Sequence, residues 1–233
     1  MKVNIWSDVR CPFCYIGKRK FEKALEKFPE KDNIEVVWHS FELDPNLETD
    51  PETSTLEYFT KTKGVSAEQA RQMLGHATSM AKEVGLDFHL EDSVLANSFN
   101  AHRLIQYAKT KDLGNAIEEA LFKAHFTDRK NIDDKPTLID IGVSIGLDKE
   151  EVGEILASDA FEQEVRQDVL AARKIGVQGV PFFVLNNKYG ISGAQSSEVF
   201  LETLEKAWEE YQQENPSLII SKGDSCSTNG TCN

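Results

Sequence analysis

Apolar residues alternate with polar ones at the start of the chain and then recur at helical spacing. The alternation over residues 3–9 (VNIWSDV) predicts a short strand. Apolar side chains recur near every third or fourth position over residues 12–28, which predicts a helix. Pro12 suits its first turn and Pro29 ends it. The β-branched and aromatic stretch 34–43 predicts a second strand.

A long helical block follows. Residues 44–54 are polar and carry two prolines, which predicts a linker. From about residue 55 to 160 the pattern stays helical, and Ser66 and Gln69 have the spacing of a capping box. Four further helices are predicted over residues 98–110, 114–126, 136–146 and 149–157.

The last part of the chain returns to a mixed pattern. Residues 159–175 predict a helix, and residues 180–185 (VPFFVL) predict a strand. An Asn-Asn turn, a short second strand and a helix over residues 196–213 follow. The element order therefore predicts an α/β domain that is interrupted by a large all-helical insertion.

This order sets the predicted domain boundaries. Residues 1–50 and 160–215 form the discontinuous α/β domain, residues 51–159 form the helical insertion, and residues 216–233 form a flexible tail that contains cysteines.

Composition and charge exclude several classes of function. The chain has 233 residues with 26 Lys and Arg against 39 Asp and Glu, which gives a net charge of −13. Such an acidic surface repels phosphate, so we expect neither a nucleic acid nor a membrane as partner. No apolar run approaches the length of about 20 residues that crosses a membrane, and no signal peptide is visible. We therefore expect a cytoplasmic, reducing location, where cysteines indicate redox or metal chemistry.

The first cysteine pair, Cys11-Pro12-Phe13-Cys14, lies where the first strand gives way to a helix. A helix N-terminus stabilises negative charge, so we expect Cys11 to be the more exposed and more acidic thiol, and thus the nucleophile. Cys14 lies one turn inside the helix and would resolve the mixed disulfide. The pair could instead be half of a zinc site or inert. A zinc site needs two further ligands, and no second close pair is near in sequence, so we predict redox chemistry without metal or bound cofactor.

Other titratable residues give weaker signals. We expect the basic residues around the pair to form mainly a solvated helix face; they are Arg10, Lys18, Arg19 and Lys20. We expect each histidine to be a hydrogen-bonded structural residue or a surface residue rather than a functional one. The histidines are His39, His76, His89, His102 and His125.

Val180-Pro181 precedes a late strand. A cis peptide bond there would present the Val180 backbone beside Cys11, where an extended substrate could pair with it. A trans proline at a strand start is the alternative, and the residues alone leave both open. Together with Pro12 and Phe13 between the cysteines, Val180 and Pro181 are the predicted substrate-binding residues.

These motifs together resemble the thioredoxin superfamily, and the helical insertion resembles its DsbA branch. Residues 97–103 (NSFNAHR), with no visible signal peptide, are similar to FrnE-type DsbA-like oxidoreductases. The resemblance covers about residues 1–213 and implies a thioredoxin-like domain in which Cys11 is the nucleophile, Cys14 the resolving thiol and Pro181 a cis-proline. DsbA itself has His where this chain has Phe13, so we expect a less oxidising couple.

A second cysteine pair, Cys226 and Cys232, lies near the C-terminus with five residues between its members. We treat it as a candidate second redox pair that exchanges with Cys11 and Cys14. The alternatives are a metal clip, inert thiols or a local structural disulfide.

The sequence thus predicts a thiol–disulfide oxidoreductase, an oxidase/isomerase or a reductase, that acts on protein or peptide thiols and disulfides. Glutathione is a candidate small thiol. One alternative keeps the fold: kappa-class glutathione transferases and 2-hydroxychromene-2-carboxylate isomerases resemble the chain but use a single Ser or Cys, and Cys14 argues against them. Another is a peptide-binding chaperone with incidental cysteines.

Overall fold

The computed structural model describes residues 1–216. In chain order, the strands are β1 (Lys2–Ser7), β2 (Glu35–Ser40), β3 (Asp50–Ser54), β4 (Val94–Leu95), β5 (Phe182–Leu185) and β6 (Tyr189–Ser192). The helices are α1 (Pro12–Lys27), α2 (Thr55–Thr62), α3 (Ala67–Glu83), α4 (Phe99–Lys109), α5 (Gly114–Phe126), α6 (Lys135–Ser144), α7 (Lys149–Ala157), α8 (Glu162–Lys174) and α9 (Ser197–Glu214). Within this span, no helix is both long and apolar enough to cross a membrane.

A four-stranded sheet forms the centre of the α/β part, in the order β2-β1-β5-β6. Strand β1 runs parallel to β2 and antiparallel to β5, with Val3 opposite both Val36 and Leu185. Strands β5 and β6 form a hairpin through residues 186–188, in which Asn186 and Asn187 both have positive φ and the Lys188 N–H donates to the Leu185 carbonyl at 3.0 Å. Asn tolerates positive φ, so it suits this turn. The predicted α/β architecture is therefore confirmed.

The alternation of β1 separates two packed layers. On one face, Ile5 joins a core with Phe21 of α1 and Phe200 of α9. On the other face, Trp6 packs against Ala172, close to the end of α8. Burying both faces of this strand fixes its register, because a shift of one residue would exchange the two sets of side chains.

The segment between β2 and α8 has its own continuous apolar core, and the side chains of Cys11 and Cys14 lie against it. The predicted capping box is confirmed: Ser66 and Gln69 bond to each other's backbone N–H at the start of α3. The cysteine pair therefore lies where α1 meets the inserted helices. The exact domain boundaries at residues 50 and 160 stay a prediction.

The insertion is not entirely helical, which corrects the sequence-based expectation. Strands β3 and β4 pair antiparallel, with Asp50 opposite Leu95 and Ser54 opposite Val94, and a register irregularity lies between them. The linker prediction failed here because the polar residues and Pro51 mask the strand. Proline is tolerated in so short a two-stranded sheet because each strand is also an edge.

Candidate active site

Cys11 occupies the N-cap position of α1, and Pro12 starts the helix. The Cys11 N–H donates to the Asp8 carbonyl at 2.9 Å, and the Cys14 N–H donates to the Cys11 carbonyl at 3.0 Å. No side chain caps this helix end, so its dipole and first-turn N–H groups remain oriented toward Cys11. A helix N-terminus of this kind favours a thiolate over a thiol.

The two thiols are free and differ in their surroundings. Cys11 is 5% exposed and Cys14 is 1% exposed, the order expected from the sequence, although both are buried. Burial, and then the nearby Cys11 sulfur, hold the pKa of Cys14 well above its usual value. The Ser7 hydroxyl and the Asp8 backbone act in the opposite direction but do not outweigh burial. Cys14 is therefore a protonated thiol at neutral pH until the reaction changes its neighbour.

The Val180–Pro181 peptide bond is cis. The Cys11 thiol lies 3.5 Å from the Val180 carbonyl oxygen, to which it can donate. Helix α1 approaches this loop closely, since a Cβ on Gly17 would lie 3.0 Å from Pro181 Cγ. Glycine at this position therefore permits the contact between α1 and the loop. The structure brings Val180 and Pro181 to the cysteine pair, where the sequence placed them.

A cavity of about 420 Å³ opens beside Cys11, between α1 and the inserted helices. Pro12 and the exposed ring of Phe13 form one side of it. Its wall is largely apolar and includes Tyr58, Phe59, Leu74, Leu90, Leu95 and Phe126. Two of the four predicted substrate-binding residues, Pro12 and Phe13, thus border a concave, mostly apolar surface next to the reactive sulfur, which is the usual character of a ligand site, whereas Val180 and Pro181 do not line it.

Behind the cysteine pair lies a buried charged cluster that the sequence did not predict. Asp8, His102 and Glu118 are all about 0–1% exposed. The Asp8 carboxylate accepts from the Leu43 N–H at 2.8 Å and lies 3.5 Å from His102 Nε2. At that distance the two charges attract, but the contact lacks hydrogen-bond geometry, and neither ring nitrogen of His102 has a hydrogen-bond partner within residues 1–216.

The histidine expectation is therefore wrong for His102 and His125, which are buried yet incompletely hydrogen-bonded. Burial favours the neutral imidazole, but Asp8 outweighs it and raises the pKa of His102. Burial, reinforced by the charge of Arg10, lowers the pKa of His125 to about 4. A sequence signal existed: His125 lies at helical spacing from Leu121 and Phe122 on α5, on an apolar face.

The expected solvated face of α1 is also wrong at Lys18, whose side chain is only 2% exposed. Its Nζ donates to Glu22 at 2.5 Å and to Glu119 of α5 at 2.8 Å. Arg19 and Tyr15 bond to the same Glu119 carboxylate. The sequence predicts that the basic residues of α1 are solvated, but Glu119 of α5 supplies the negative charge that allows Lys18 to be buried.

The second cysteine pair, Cys226 and Cys232, lies outside the described residues. In the described part of the chain, no three His, Cys, Asp or Glu side chains are grouped so as to hold a metal ion. The absence of a metal from the chemistry stays a prediction.

Comparison with known proteins identifies the family. A family model described as a DSBA-like thioredoxin domain matches residues 2–205. A probable DsbA oxidoreductase from Streptomyces coelicolor is 39% identical, with 100% of this chain and 98% of that chain covered and a TM-score of 0.85.

Two more distant solved structures share the fold alone. The cytosolic disulfide reductase DsbM from Pseudomonas aeruginosa, solved with GSH, is 17% identical with a TM-score of 0.61. A 2-hydroxychromene-2-carboxylate isomerase is 17% identical with a TM-score of 0.66. Each covers 92% of this chain and 98% of its own. On the match to residues 2–205, this chain belongs to the family of DSBA-like thioredoxin domains.

Proposed function

We propose that the protein is a thiol–disulfide oxidoreductase that acts on protein or peptide dithiols through Cys11 and Cys14. One observation carries the proposal: Cys11 caps the N-terminus of α1, with Cys14 one turn inside. This placement makes one sulfur a nucleophile and the other a resolving group. Membership of the DSBA-like family supports the same chemistry.

The reaction needs no cofactor, because both electrons pass between sulfur atoms. When Cys11 and Cys14 form a disulfide, a substrate thiolate attacks the Cys11 sulfur, a mixed disulfide forms, and Cys14 leaves. A second substrate thiolate then attacks the substrate sulfur of the mixed disulfide. The substrate disulfide forms and Cys11 leaves as a thiolate beside the N-terminus of α1. Reduction of a substrate disulfide is the same sequence in reverse.

The cis-Pro181 loop and the Phe13 side chain give this chemistry its binding surface. The Val180 carbonyl lies 3.5 Å from the Cys11 sulfur, which is where an extended substrate would pass. We further propose that Cys226 and Cys232 act as a second redox pair. The FrnE type, the cytoplasmic location and the use of glutathione also remain proposals.

The decisive experiment is a glutathione titration of the Cys11–Cys14 couple. A reduction potential of about −200 mV or higher identifies an oxidase or isomerase, and one near about −270 mV identifies a reductase. The double variant Cys226→Ser/Cys232→Ser is the matched control, and it should titrate one couple fewer if the tail is a redox partner. Failure of Cys11 and Cys14 to form a disulfide in any buffer would end the proposal.

The apolar cavity beside Cys11 favours a second candidate, a glutathione-dependent transferase or isomerase that uses one nucleophile. The variant Cys14→Ser separates the two functions. It should abolish dithiol oxidation and reduction if the main proposal holds, because the mixed disulfide can no longer be resolved internally. Retained turnover of a small electrophile in Cys14→Ser, with no dithiol activity in the parent, favours the second candidate.

A further inference from the structure

The cavity beside Cys11 contains a cation that forms no direct ion pair within residues 1–216. Arg10 lines this cavity. Its Nη1 is buried without a hydrogen-bond partner, and the guanidinium forms no ion pair with any carboxylate in residues 1–216. The Arg10 backbone N–H does bond Asp8 at 3.1 Å, but the Asp8 carboxylate is also held by Leu43 and faces His102. An unpaired guanidinium at an apolar cavity favours an anionic ligand.

A second polar group at the same cavity lacks a partner. His125 is 4% exposed, lines the cavity, and has a buried Nδ1 with no hydrogen-bond partner in the described chain. Because burial lowers its pKa to about 4, the imidazole is neutral at physiological pH. The Lys130 backbone carbonyl accepts from the imidazole, so the neutral ring has used its one N–H and presents Nδ1 to the cavity as an acceptor.

The other charged side chains at the cavity, Asp44 and Lys63, lie close to each other and have opposite charges. Asp44 accepts from the Tyr58 hydroxyl at 3.0 Å and lies 3.9 Å from Lys63 Nζ. His76 is an exposed side chain at the cavity. Against a mostly apolar wall, Arg10 is therefore the cation at this cavity that has no direct ion pair among the residues described.

We propose that this cavity binds a small aryl disulfide that carries one carboxylate per half, and that it presents the disulfide to Cys11. The proposal rests on the oxidoreductase chemistry of Cys11 and Cys14, and it adds a small-molecule disulfide to the protein and peptide dithiols proposed above. Arg10 would hold the carboxylate, and the apolar wall would hold the body of the ligand. A volume of about 420 Å³ suits a compact ligand, because small-molecule sites span roughly 300–1,000 Å³.

The chemistry balances as a two-electron exchange. The Cys11 thiolate attacks one ligand sulfur, so a mixed disulfide forms and one ligand thiolate leaves. Cys14, after losing its proton, attacks the Cys11 sulfur and releases the second ligand thiolate. The ligand disulfide is reduced to two thiols and the enzyme is oxidised to the Cys11–Cys14 disulfide. A dithiol or glutathione then returns the enzyme to its reduced form.

The test uses the full chain with Cys14→Ser, Cys226→Ser and Cys232→Ser, so that only Cys11 reacts. The probes are the disulfide of para-mercaptobenzoate and the disulfide of its uncharged N-methylamide. For each probe, the rate of thiolate release by the protein is divided by the rate of its release by free mercaptoethanol. This ratio corrects for the different intrinsic reactivity of the two probes. We expect the carboxylate probe to be preferred about tenfold, the effect of one charge-assisted contact.

Arg10→Gln should reduce this preference to near unity. Arg71→Gln removes the same charge from an exposed position on α3 and should leave the preference unchanged. An uncharged peptide disulfide should react more slowly than the carboxylate probe. If Arg10→Gln prefers the carboxylate probe as strongly as the parent does, the inference is overturned. A peptide disulfide that reacts faster than the carboxylate probe also overturns it. Neither result contradicts the oxidoreductase function. A Cys11 that attacks none of the disulfides faster than free mercaptoethanol overturns the oxidoreductase function itself.

Discussion

Glu118 and Glu119 are adjacent on α5 but meet opposite surroundings. The Glu119 carboxylate accepts from the Tyr15 hydroxyl at 2.5 Å and from Lys18 Nζ at 2.8 Å, and Arg19 bonds it as well. The Glu118 side chain is 1% exposed, and its Oε2 has no hydrogen-bond partner within residues 1–216. Helix α5 therefore presents a hydrogen-bonded carboxylate, Glu119, toward α1, and a buried carboxyl group that lacks a hydrogen-bond partner at one oxygen, Glu118, toward the interior.

For that reason, the pKa values of Glu118 and Glu119 shift in opposite directions from the ordinary value. Burial works to raise the pKa of both carboxyl groups. At Glu119 the hydrogen bonds from Lys18, Tyr15 and Arg19 outweigh burial, so its pKa is lowered. At Glu118 the positive charge of His102 does not outweigh burial, so its pKa rises to about 7. Direct donors, more than nearby charge, decide whether a partly dehydrated carboxylate stays ionised.

The largest expected change in stability comes from removing Lys18, the buried cation that bonds Glu119. Lys18→Met leaves Glu22 and Glu119 facing each other without their buried partner. We expect the free energy of unfolding to fall by about 3 kcal/mol, because two charge-assisted hydrogen bonds of roughly 1.5–3 kcal/mol each are lost, while Arg19 still bonds both carboxylates. Urea denaturation at pH 7 measures the change.

Lys2→Met is the matched control for Lys18→Met. Its ion pair with Glu35 joins two side chains that are each 59% exposed. We expect a change below about 1 kcal/mol there, because water already solvates both groups. Equal losses in the two variants would show that the burial of Lys18 adds nothing to its ion pairs.

The next largest expected change in stability concerns Glu118. The folded pKa of Glu118 is about 7, above its ordinary value of 4.5, so its protonated form stabilises the fold below pH 4.5. That contribution is lost as the pH rises through 7. Glu118→Gln keeps an uncharged side chain at every pH, so it should raise stability at pH 8 relative to pH 5. The expected gain is on the order of 1–3 kcal/mol.

Urea denaturation at the two pH values, with Glu119→Gln beside it, measures this difference. The pKa of Glu119 is lowered, so its ionised form is the stabilising one, and its loss should destabilise the protein at pH 8. If both substitutions moved stability in the same direction, the contrast between the two acids would be refuted.

The contrast also shows how far the sequence could predict the site. Helical spacing predicted α5 over residues 114–126, as observed, and the spacing of Cys11 and Cys14 predicted a dithiol at a helix start. The pattern could have separated the two acids as well. Glu118 shares its face with Leu121 and Phe122, at three and four positions along the helix.

What the sequence could not supply are contacts between distant segments. Lys18 and Glu119 are about one hundred positions apart, and Asp8 meets His102 across a similar separation. Local periodicity carries no information about such pairs. The same limit applies to the strand pairing of β3 with β4, which depends on a partner forty or more positions away.

The smallest expected effect concerns His102 as the distant partner of Glu118. Asp8 raises the pKa of His102, and the positive charge of His102 lowers the pKa of Glu118 from an even higher value. His102→Gln removes that positive charge and leaves the negative charge of Asp8, so the pKa of Glu118 should rise further. Titration of the side-chain carboxyl carbons by NMR measures this, and Glu119 serves as internal reference because Lys18 and Arg19 still hold it. An unmoved Glu118 would mean that burial alone sets its pKa, and that the cluster behind Cys14 is not electrostatically coupled.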